Sequence, residues 1–275
     1  MLRLHSTVLV TVEGHGTRRE LAGYAPVPCP GLSGAFPTET PPPASRPPAR
    51  RSYEVYVAPS VCRQMSLPWS CRRISAFFRR HLHDLPFAEA GGFPVVVETS
   101  TRILAQVGVK SGETLLVNGA AGGIGSAVIQ FACHRGIIVI GTASVPKHDY
   151  LRALGATPIT YGPGLVERVR NLAPAGVSGA LDLAGSGVIP DLIELTGDPS
   201  HVVSIVDFTA PQYGAQGSFE VQKRPERALA DAGRLYSEGA FRVALEKTFP
   251  LAQAAEAYTL SAAGHVTGKL VITVS

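Results

Sequence analysis

From about residue 85 onward, the chain alternates short apolar runs with segments of helical periodicity. After the glycine at position 123, apolar residues recur at i, i+4, i+7 and i+8, which places them on one face of a helix. These residues are Ile124, Val128, Phe131 and Ala132. Gly136 suits the C-cap of that helix, and Gly155 ends a second helix predicted over residues 147–156. Buried strands are predicted at residues 114–119, 137–141, 158–162, 180–185 and 201–207.

Buried strands separated by helices are typical of parallel strands joined by crossover connections. We therefore predict an α/β fold with a doubly wound parallel sheet. In such a sheet a ligand binds outside the carboxyl ends of the strands. The functional residues are accordingly expected in the loops that follow the strands.

Residues 1–84 differ in character from the rest of the chain. They hold half of the 22 prolines, and the segment 37–52 (PTETPPPASRPPARRS) is too proline-rich for a packed helix or a central strand. The arginine-rich segment 62–83 shows no clean period. We therefore expect an irregular N-terminal region.

Composition excludes several classes of protein. A hydrophobic fraction of 45% provides a buried core, and the net charge of +4 is too mild to indicate a nucleic-acid partner. Four cysteines do not make a disulfide scaffold at this length, and no apolar run is long enough to span a membrane. Because no signal-peptide cleavage pattern follows the start, we expect a cytoplasmic protein.

The segment LLVNGAAGGIGSAV (residues 115–128) follows the first predicted strand with four glycines. A dinucleotide pyrophosphate binds at such a position, against the amide groups that begin the following helix. Gly122 would allow close approach of the phosphates, and Gly125 would let the helix pack on the strand. Ala120 stands at the usual first-glycine position, so the alternative of a purely structural glycine turn stays open.

The end of the second predicted strand distinguishes NADP from NAD. An NAD site usually carries a carboxylate about 20 residues after the glycines. Here Thr142, Ala143 and Ser144 stand at that point, followed by Lys147, and these residues would accept a 2′-phosphate. The sequence therefore favours NADP(H), with the alternative that Lys147 is a solvated first-turn residue. Asp149 is nearby but lies inside the predicted helix.

Three separated segments resemble the quinone-oxidoreductase-like branch of the medium-chain dehydrogenase/reductase superfamily. The first is GETLLVNGAAGGIGSAVIQFACHRGIIVIGTAS with HDYLRALGA after it. The second is FPLAQAAEAYTLSAAGHVTGKLVITV (residues 249–274), which is similar to the closing helix and strand of that family. The third, DLPFAEAGGFPVVVETSTRIL, is similar to the segment that joins its two domains. The resemblance covers about residues 84–275.

The resemblance implies an NADP-dependent, zinc-independent enzyme that reduces a quinone or an activated, α,β-unsaturated double bond by hydride transfer. It implies a pyrophosphate site at Ala121, Gly122, Gly123 and Ile124, a 2′-phosphate site at Ser144, Lys147 and Tyr161, and further cofactor contacts at Thr99, Ala184, Ile205 and Lys269. Thr99 would lie near the nicotinamide and Lys269 near the outer edge of the cofactor. Simpler alternatives are a loop aromatic for Tyr161, a core position for Ile205 and a solvated charge for Lys269.

The N-terminal region departs from the family pattern. Members begin with a barrel-like, GroES-like catalytic domain, and residues 1–84 do not show its strand and glycine pattern. We expect a truncated or altered remnant at 1–84, a Rossmann NADP-binding domain with its joining helix at 85–240, and a returning helix and strand at 241–275. Gly91 and Gly92 stand where the joining helix needs helix formers.

These departures leave other functions open. The main alternative is a non-enzymatic NADPH-binding remnant without a substrate pocket, and a polyketide-type enoyl reductase domain is a third reading. Cys62, Cys71, His81 and His83 fit no common zinc spacing, so no metal is expected. Asp182 is either a structural hydrogen-bonding carboxylate or a functional one, and no general acid is assigned. A homodimer formed through an exposed edge strand is expected from the family.

Overall fold

The computed structural model describes residues 8–12, 85–220 and 225–274, with the backbone alone for residues 8–12, 87 and 274. The predicted Cys62, Cys71, His81 and His83 set lies outside these residues. So does the predicted irregular region, apart from strand β1 (Val8–Val12), which we did not expect there.

A six-stranded parallel sheet forms the centre of the structure. Its strands are β2 (Thr114–Asn118), β3 (Ile138–Thr142), β4 (Thr157–Ile159), β5 (Gly179–Asp182), β6 (Val202–Ser204) and β7 (Gln216–Gly217). They lie in the order β4-β3-β2-β5-β6-β7, and every pair is parallel. This is the order of a dinucleotide-binding doubly wound sheet, which reverses direction between β2 and β5. The predicted fold class is confirmed; the two-residue strand β7 was not predicted.

Helices cover both faces of this sheet. They are α1 (Phe87–Val107), α2 (Gly123–His134), α3 (His148–Ala153), α4 (Leu165–Leu172), α5 (Ile189–Thr196) and α6 (Glu226–Ser237). Helices α1, α2, α3 and α6 bury their apolar residues in one core, while α4 and α5 bury theirs in a second core. Two separate cores are what a sheet packed on both faces requires.

The predicted signals at the helix ends are largely confirmed. Helix α2 has Arg135 as its C-cap, and Gly136 follows it in the left-handed region at φ 74°. Gly155 follows α3 with φ 95°. Helix α1 continues through Gly91, Gly92 and Pro94, and all three are buried. Packing therefore maintains a helix that these residues disfavour by propensity.

A three-stranded parallel sheet lies beside the larger one. It consists of β1, β9 (Lys269–Val274) and β8 (Leu245–Pro250) in that order, with helix α7 (Ala254–Ala262) between β8 and β9 in the chain. The closing helix and strand predicted for the C-terminus are thus present. Gly268, just before β9, forms a parallel bridge with Gly122, so this sheet contacts the glycine turn directly.

Candidate functional site

The four glycines join β2 to α2 at the carboxyl edge of the six-stranded sheet. Gly119 has φ 83°, a left-handed conformation that favours glycine, and its N–H donates to Thr142 Oγ1 at 3.1 Å. A Cβ at Gly125 would lie 2.5 Å from the Gly119 oxygen and 2.6 Å from the Ala120 oxygen. Gly125 therefore allows the helix to pack against the turn, as the sequence predicts.

The two middle glycines have different surroundings. A Cβ at Gly122 would meet only the Gly119 oxygen, at 3.5 Å, which is an ordinary contact. A Cβ at Gly123 would lie 2.6 Å from Cε and 2.8 Å from Cδ of Lys269. Gly123 thus packs against a neighbouring side chain of the protein itself, whereas space remains beside Gly122.

The start of α2 fits a bound phosphate group. The N–H of Ser126 donates to the Gly122 oxygen at 2.8 Å, so the intrahelical bonds begin there. The amides of the first helical turn before Ser126 have no carbonyl one turn earlier in the helix. Together with the space beside Gly122 and the positive end of the helix dipole, they form a cradle suited to an anion.

Buried polar side chains connect the carboxyl ends of four strands. Asn118 accepts from Thr142 Oγ1 at 2.8 Å and donates to Asp182 Oδ1 at 2.9 Å. Ser204 Oγ donates to Asp182 Oδ2 at 2.9 Å, and the Gly185 N–H donates to Asp182 Oδ1 at 2.8 Å. We call these residues, Thr142, Asn118, Asp182 and Ser204, the strand-end network. It fixes the start of each loop at the functional edge.

The strand-end network resolves the role left open for Asp182. This carboxylate is fully buried and accepts hydrogen bonds from Asn118, Gly185 and Ser204, so it joins neighbouring strand ends as a structural carboxylate does. Asn118, Thr142 and Ser204 were not predicted as partners. The sequence did contain a signal for them, because each of these three polar residues ends an apolar run.

The end of β3 carries the predicted 2′-phosphate residues. Ser144 is half-buried, and Lys147 Nζ donates to the His265 carbonyl at 2.6 Å. Burial lowers the pKa of Lys147, and the nearby Glu246 carboxylate raises it. Glu246 also accepts from the Thr267 N–H. Lys147 is therefore bonded to the loop before β9 and is not a simple solvated residue.

Lys269 is a buried cation at this edge, with 2% of its surface exposed. Burial lowers its pKa to about 8. Its methylenes cover Gly123, and its N–H donates to the Ala244 oxygen at 2.9 Å. The alternative of a solvated charge is wrong for this residue. Gly268 precedes Lys269 in a left-handed conformation at φ 77°, and its N–H donates to the Ala121 oxygen, which brings Lys269 close to the glycine turn. This role of Gly268 was not predicted.

The remaining predicted residues lie at several depths. Thr99 is half-buried on α1 and donates to Glu98 Oε2 at 3.2 Å. Ala184 is exposed after β5, and Ile205 packs against the first core after β6. Ala121 and Ile124 are buried, at 6% and 7% exposure, while Tyr161 is 52% exposed after β4. The structure thus brings Ala121, Gly122, Gly123, Ile124 and Lys269 into one cluster.

Two properties of the described residues concern metals and membranes. Within residues 85–220 and 225–274, His, Cys, Asp and Glu side chains form no group of three that could hold a metal ion. Across the same part of the chain, no helix has the length and apolar character needed to cross a membrane.

Comparison with known proteins gives three similar examples. A pikromycin polyketide synthase component from Streptomyces venezuelae is 32% identical over 208 residues, which is 68% of this chain and 6% of that protein. A chloroplastic NADPH-dependent alkenal/one oxidoreductase from Arabidopsis thaliana is 27% identical over 195 residues, covering 69% of this chain and 48% of that one. The solved quinone oxidoreductase from Coxiella burnetii matches with a TM-score of 0.60 and 32% identity, covering 71% of this chain and 63% of that one.

The chain therefore spans about half or less of the curated relatives named here, and less than two thirds of the solved one. A family model described as zinc-binding dehydrogenase matches residues 154–272. The matched range includes Asp182, Ser204 and most of the closing strand β9, and it begins after the glycine turn. The chain belongs to the medium-chain dehydrogenase/reductase superfamily and is a quinone-oxidoreductase-like member of it.

Proposed function

We propose that this protein is an NADPH-dependent, zinc-independent oxidoreductase that reduces a quinone or an activated double bond. The observation that carries the proposal is the cradle formed by Gly122 and the first turn of α2, at the point where the sheet reverses direction. Open doubly wound sheets bind their ligands at this point.

NADP recognition rests on the end of β3. No carboxylate stands at Thr142, Ala143 or Ser144 to repel a 2′-phosphate. Lys147 would exchange the neutral His265 carbonyl for a phosphate oxygen, which is a stronger, charge-assisted acceptor. Ser144 and Tyr161 would complete this part of the site, and Lys269 would add positive charge beside the pyrophosphate.

The bound nicotinamide would supply a hydride to the substrate, and the protein contributes mainly by positioning. The strand-end network holds the loops that carry Ala184 and Ile205, which would line the path towards the nicotinamide. Thr99, on α1, would lie at its far end. We assign no general acid, and we propose that the final proton comes from solvent.

Similar proteins support this reaction class. One relative is named as an NADPH-dependent alkenal/one oxidoreductase, and a second, from Solanum lycopersicum, is named 2-methylene-furan-3-one reductase. A solved neighbour is named as a quinone oxidoreductase. These names favour quinones and enones, and we propose them as the substrate class of this chain.

The decisive experiment is a titration of the full chain with NADPH and with NADH, followed by NADPH oxidation assays with a quinone and an enone. Lys147→Gln should lower the preference for NADPH by about tenfold, because one charge-assisted phosphate contact is lost. The exposed Lys110→Gln serves as a matched control and should leave the preference unchanged. Equal binding of NADPH and NADH by the unmodified chain would contradict the NADP assignment.

The same experiment separates the second candidate, an NADPH-binding protein without a substrate pocket. The specific observation in its favour is that residues 1–84 do not show the strand and glycine pattern of the family's catalytic domain. NADPH binding with no oxidation by any quinone or enone would support this candidate against the reductase.

We also propose a cytoplasmic homodimer. Strand β7 ends one side of the six-stranded sheet, and an unpaired strand edge favours pairing with another chain. Light scattering during size-exclusion chromatography measures this directly, and a monomeric mass would contradict it. Cell fractionation tests the location, and recovery in a membrane or organelle fraction would contradict the cytoplasmic assignment.

A further inference from the structure

Two phenylalanines form an exposed aromatic stack at the carboxyl edge of the sheet. Phe208 follows β6 and Phe219 follows β7, and these strands are parallel, so both rings lie at the same edge. Their ring centroids are 4.4 Å apart with an interplanar angle of 25°. They remain 61% and 39% exposed, which is unusual for a stacked pair of large apolar rings.

The backbone beneath the stack is held in place. Ser204 belongs to the strand-end network, and its Oγ accepts hydrogen bonds from the N–H groups of Val206 and Asp207 at 3.2 Å and 2.9 Å. The N–H of Ser218 donates to the Ser204 oxygen at 2.9 Å. The loops that carry the two rings are therefore tied to the same residue.

A glycine leaves room for the second ring. A Cβ at Gly217 would lie 2.9 Å from Cζ and 3.0 Å from Cδ2 of Phe219, so this ring rests directly on the backbone. Any other residue at position 217 would push the ring away. Gly217 thus provides the space in which the Phe219 ring lies stacked on Phe208.

An ion pair connects the stack to the residue proposed near the nicotinamide. Glu98 accepts from Thr99 Oγ1 at 3.2 Å and from Arg102 Nε at 2.7 Å. Arg102 Nη1 in turn donates to the Ser218 oxygen at 2.9 Å and to the Ser218 hydroxyl. Thr99 is therefore linked through Glu98 and Arg102 to Ser218, the residue that precedes Phe219.

We propose that the Phe208–Phe219 stack is the substrate-binding wall of this site and that it selects a planar, conjugated quinone ring. This inference rests on the proposed function and narrows its substrate class. A flat ring stacks in offset fashion on an exposed aromatic face, whereas an aliphatic enal offers no such face. The other occupant of an exposed apolar patch is a second copy of the chain, which the test distinguishes.

The test measures binding of 2-methyl-1,4-naphthoquinone to the full chain, without turnover. The double variant Phe208→Leu/Phe219→Leu keeps apolar side chains but removes the ring faces, and its dissociation constant should rise about tenfold. Phe208→Tyr keeps the face and should stay within about twofold of the unmodified protein. Tyr258→Leu, an exposed aromatic on α7, is the matched control and should bind unchanged.

Two further measurements isolate the ring faces. Binding of trans-2-hexenal should change by less than about twofold in the double variant, because this ligand cannot stack. NADPH affinity should be unchanged, so failure of the quinone test and failure of the NADPH titration are separate results.

Four outcomes would overturn the proposal. They are no binding of the naphthoquinone by the unmodified chain, equal binding by the double variant, equal losses for both ligands, and a change of oligomeric state in the double variant. A change of oligomeric state would instead place the stack in an interface between two copies of this chain.

Discussion

The carboxyl edge of the large sheet and the helix layer behind it each bury a carboxylate, but with different numbers of donors. Asp182 at the edge is fully buried and receives hydrogen bonds from Asn118, Ser204 and Gly185. Glu89 on α1 is 1% exposed, and burial raises its pKa to about 7 although Arg242, the Val243 backbone and Tyr236 lower it. Both carboxylates are buried, yet Asp182 supports the strand ends through its hydrogen bonds, whereas Glu89 has a pKa that burial raises.

The largest expected effect is at Asp182. Asp182→Ala leaves the Asn118 amide, the Ser204 hydroxyl and the Gly185 N–H without their acceptor, and should lower the free energy of unfolding by about 3 kcal/mol. Urea denaturation at pH 7 measures this. Asp207→Ala is the matched control, because the Asp207 carboxylate accepts hydrogen bonds from the nearby Thr209 N–H and hydroxyl at an exposed turn, and a loss of less than about 1 kcal/mol is expected. Similar losses in both variants would contradict a special role for the strand-end network.

The helix layer should respond to pH through Glu89. A raised carboxyl pKa means that the folded protein binds the proton more tightly than the unfolded chain, so stability is lost as pH rises from 4.5 towards 7. Between pH 5 and pH 8 this loss should be about 2.5 kcal/mol, and Glu89→Gln should remove it.

Unfolding free energies of the unmodified protein and the variant at both pH values provide the check. Glu238→Gln at the C-cap of α6, where the side chain is about half-exposed, is the control and should keep the full pH dependence. An unchanged pH dependence in Glu89→Gln would show that another group is responsible.

Two glycines at the carboxyl edge should separate an effect on stability from an effect on NADPH binding. Gly125→Ala places a Cβ against backbone oxygens and should cost about 2 kcal/mol of stability. Gly122→Ala meets only an ordinary contact and should cost less than about 0.5 kcal/mol, yet weaken NADPH binding by about tenfold or more. Thermal denaturation and NADPH titration separate the two effects. Unchanged NADPH affinity in Gly122→Ala would contradict the cradle.

A smaller loss of stability than at Gly125 is expected where a flexible side chain is the neighbour. Gly123→Ala meets the methylenes of Lys269, which can shift, so a loss of about 1 kcal/mol is expected. In the Lys269→Ala background the same substitution should cost nothing, giving a coupling energy of about 1 kcal/mol. A double-mutant cycle by urea denaturation measures this coupling. If the stability losses of the two substitutions simply add, contact with Lys269 is not the reason that Gly123→Ala destabilises the protein.

Local patterns in the sequence predicted much of this architecture. The strand over 114–119, the glycine turn and the helix after it are read from neighbouring residues, and the structure matches them within one residue at β2. The glycine at position 136 marks the end of α2 for the same reason, since its φ of 74° is a local requirement. Strand β7 has two residues, too few for any periodicity to reveal.

Long-range contacts account for what the sequence did not predict. The strand-end network joins residues 118, 142, 182 and 204, which come together only when the sheet order is known. Lys269 covers Gly123 because β9 reaches the glycine turn, and nothing near either residue in sequence indicates this contact. The Phe208–Phe219 stack likewise depends on β6 and β7 being adjacent.

The cradle at Gly122 is the central claim, and titration of the full chain with NADPH beside NADH tests it most directly. Our account predicts that NADPH binds at least about tenfold more tightly than NADH, and that Gly122→Ala weakens NADPH binding while the protein stays folded. Failure of the folded protein to bind either nucleotide would contradict the account.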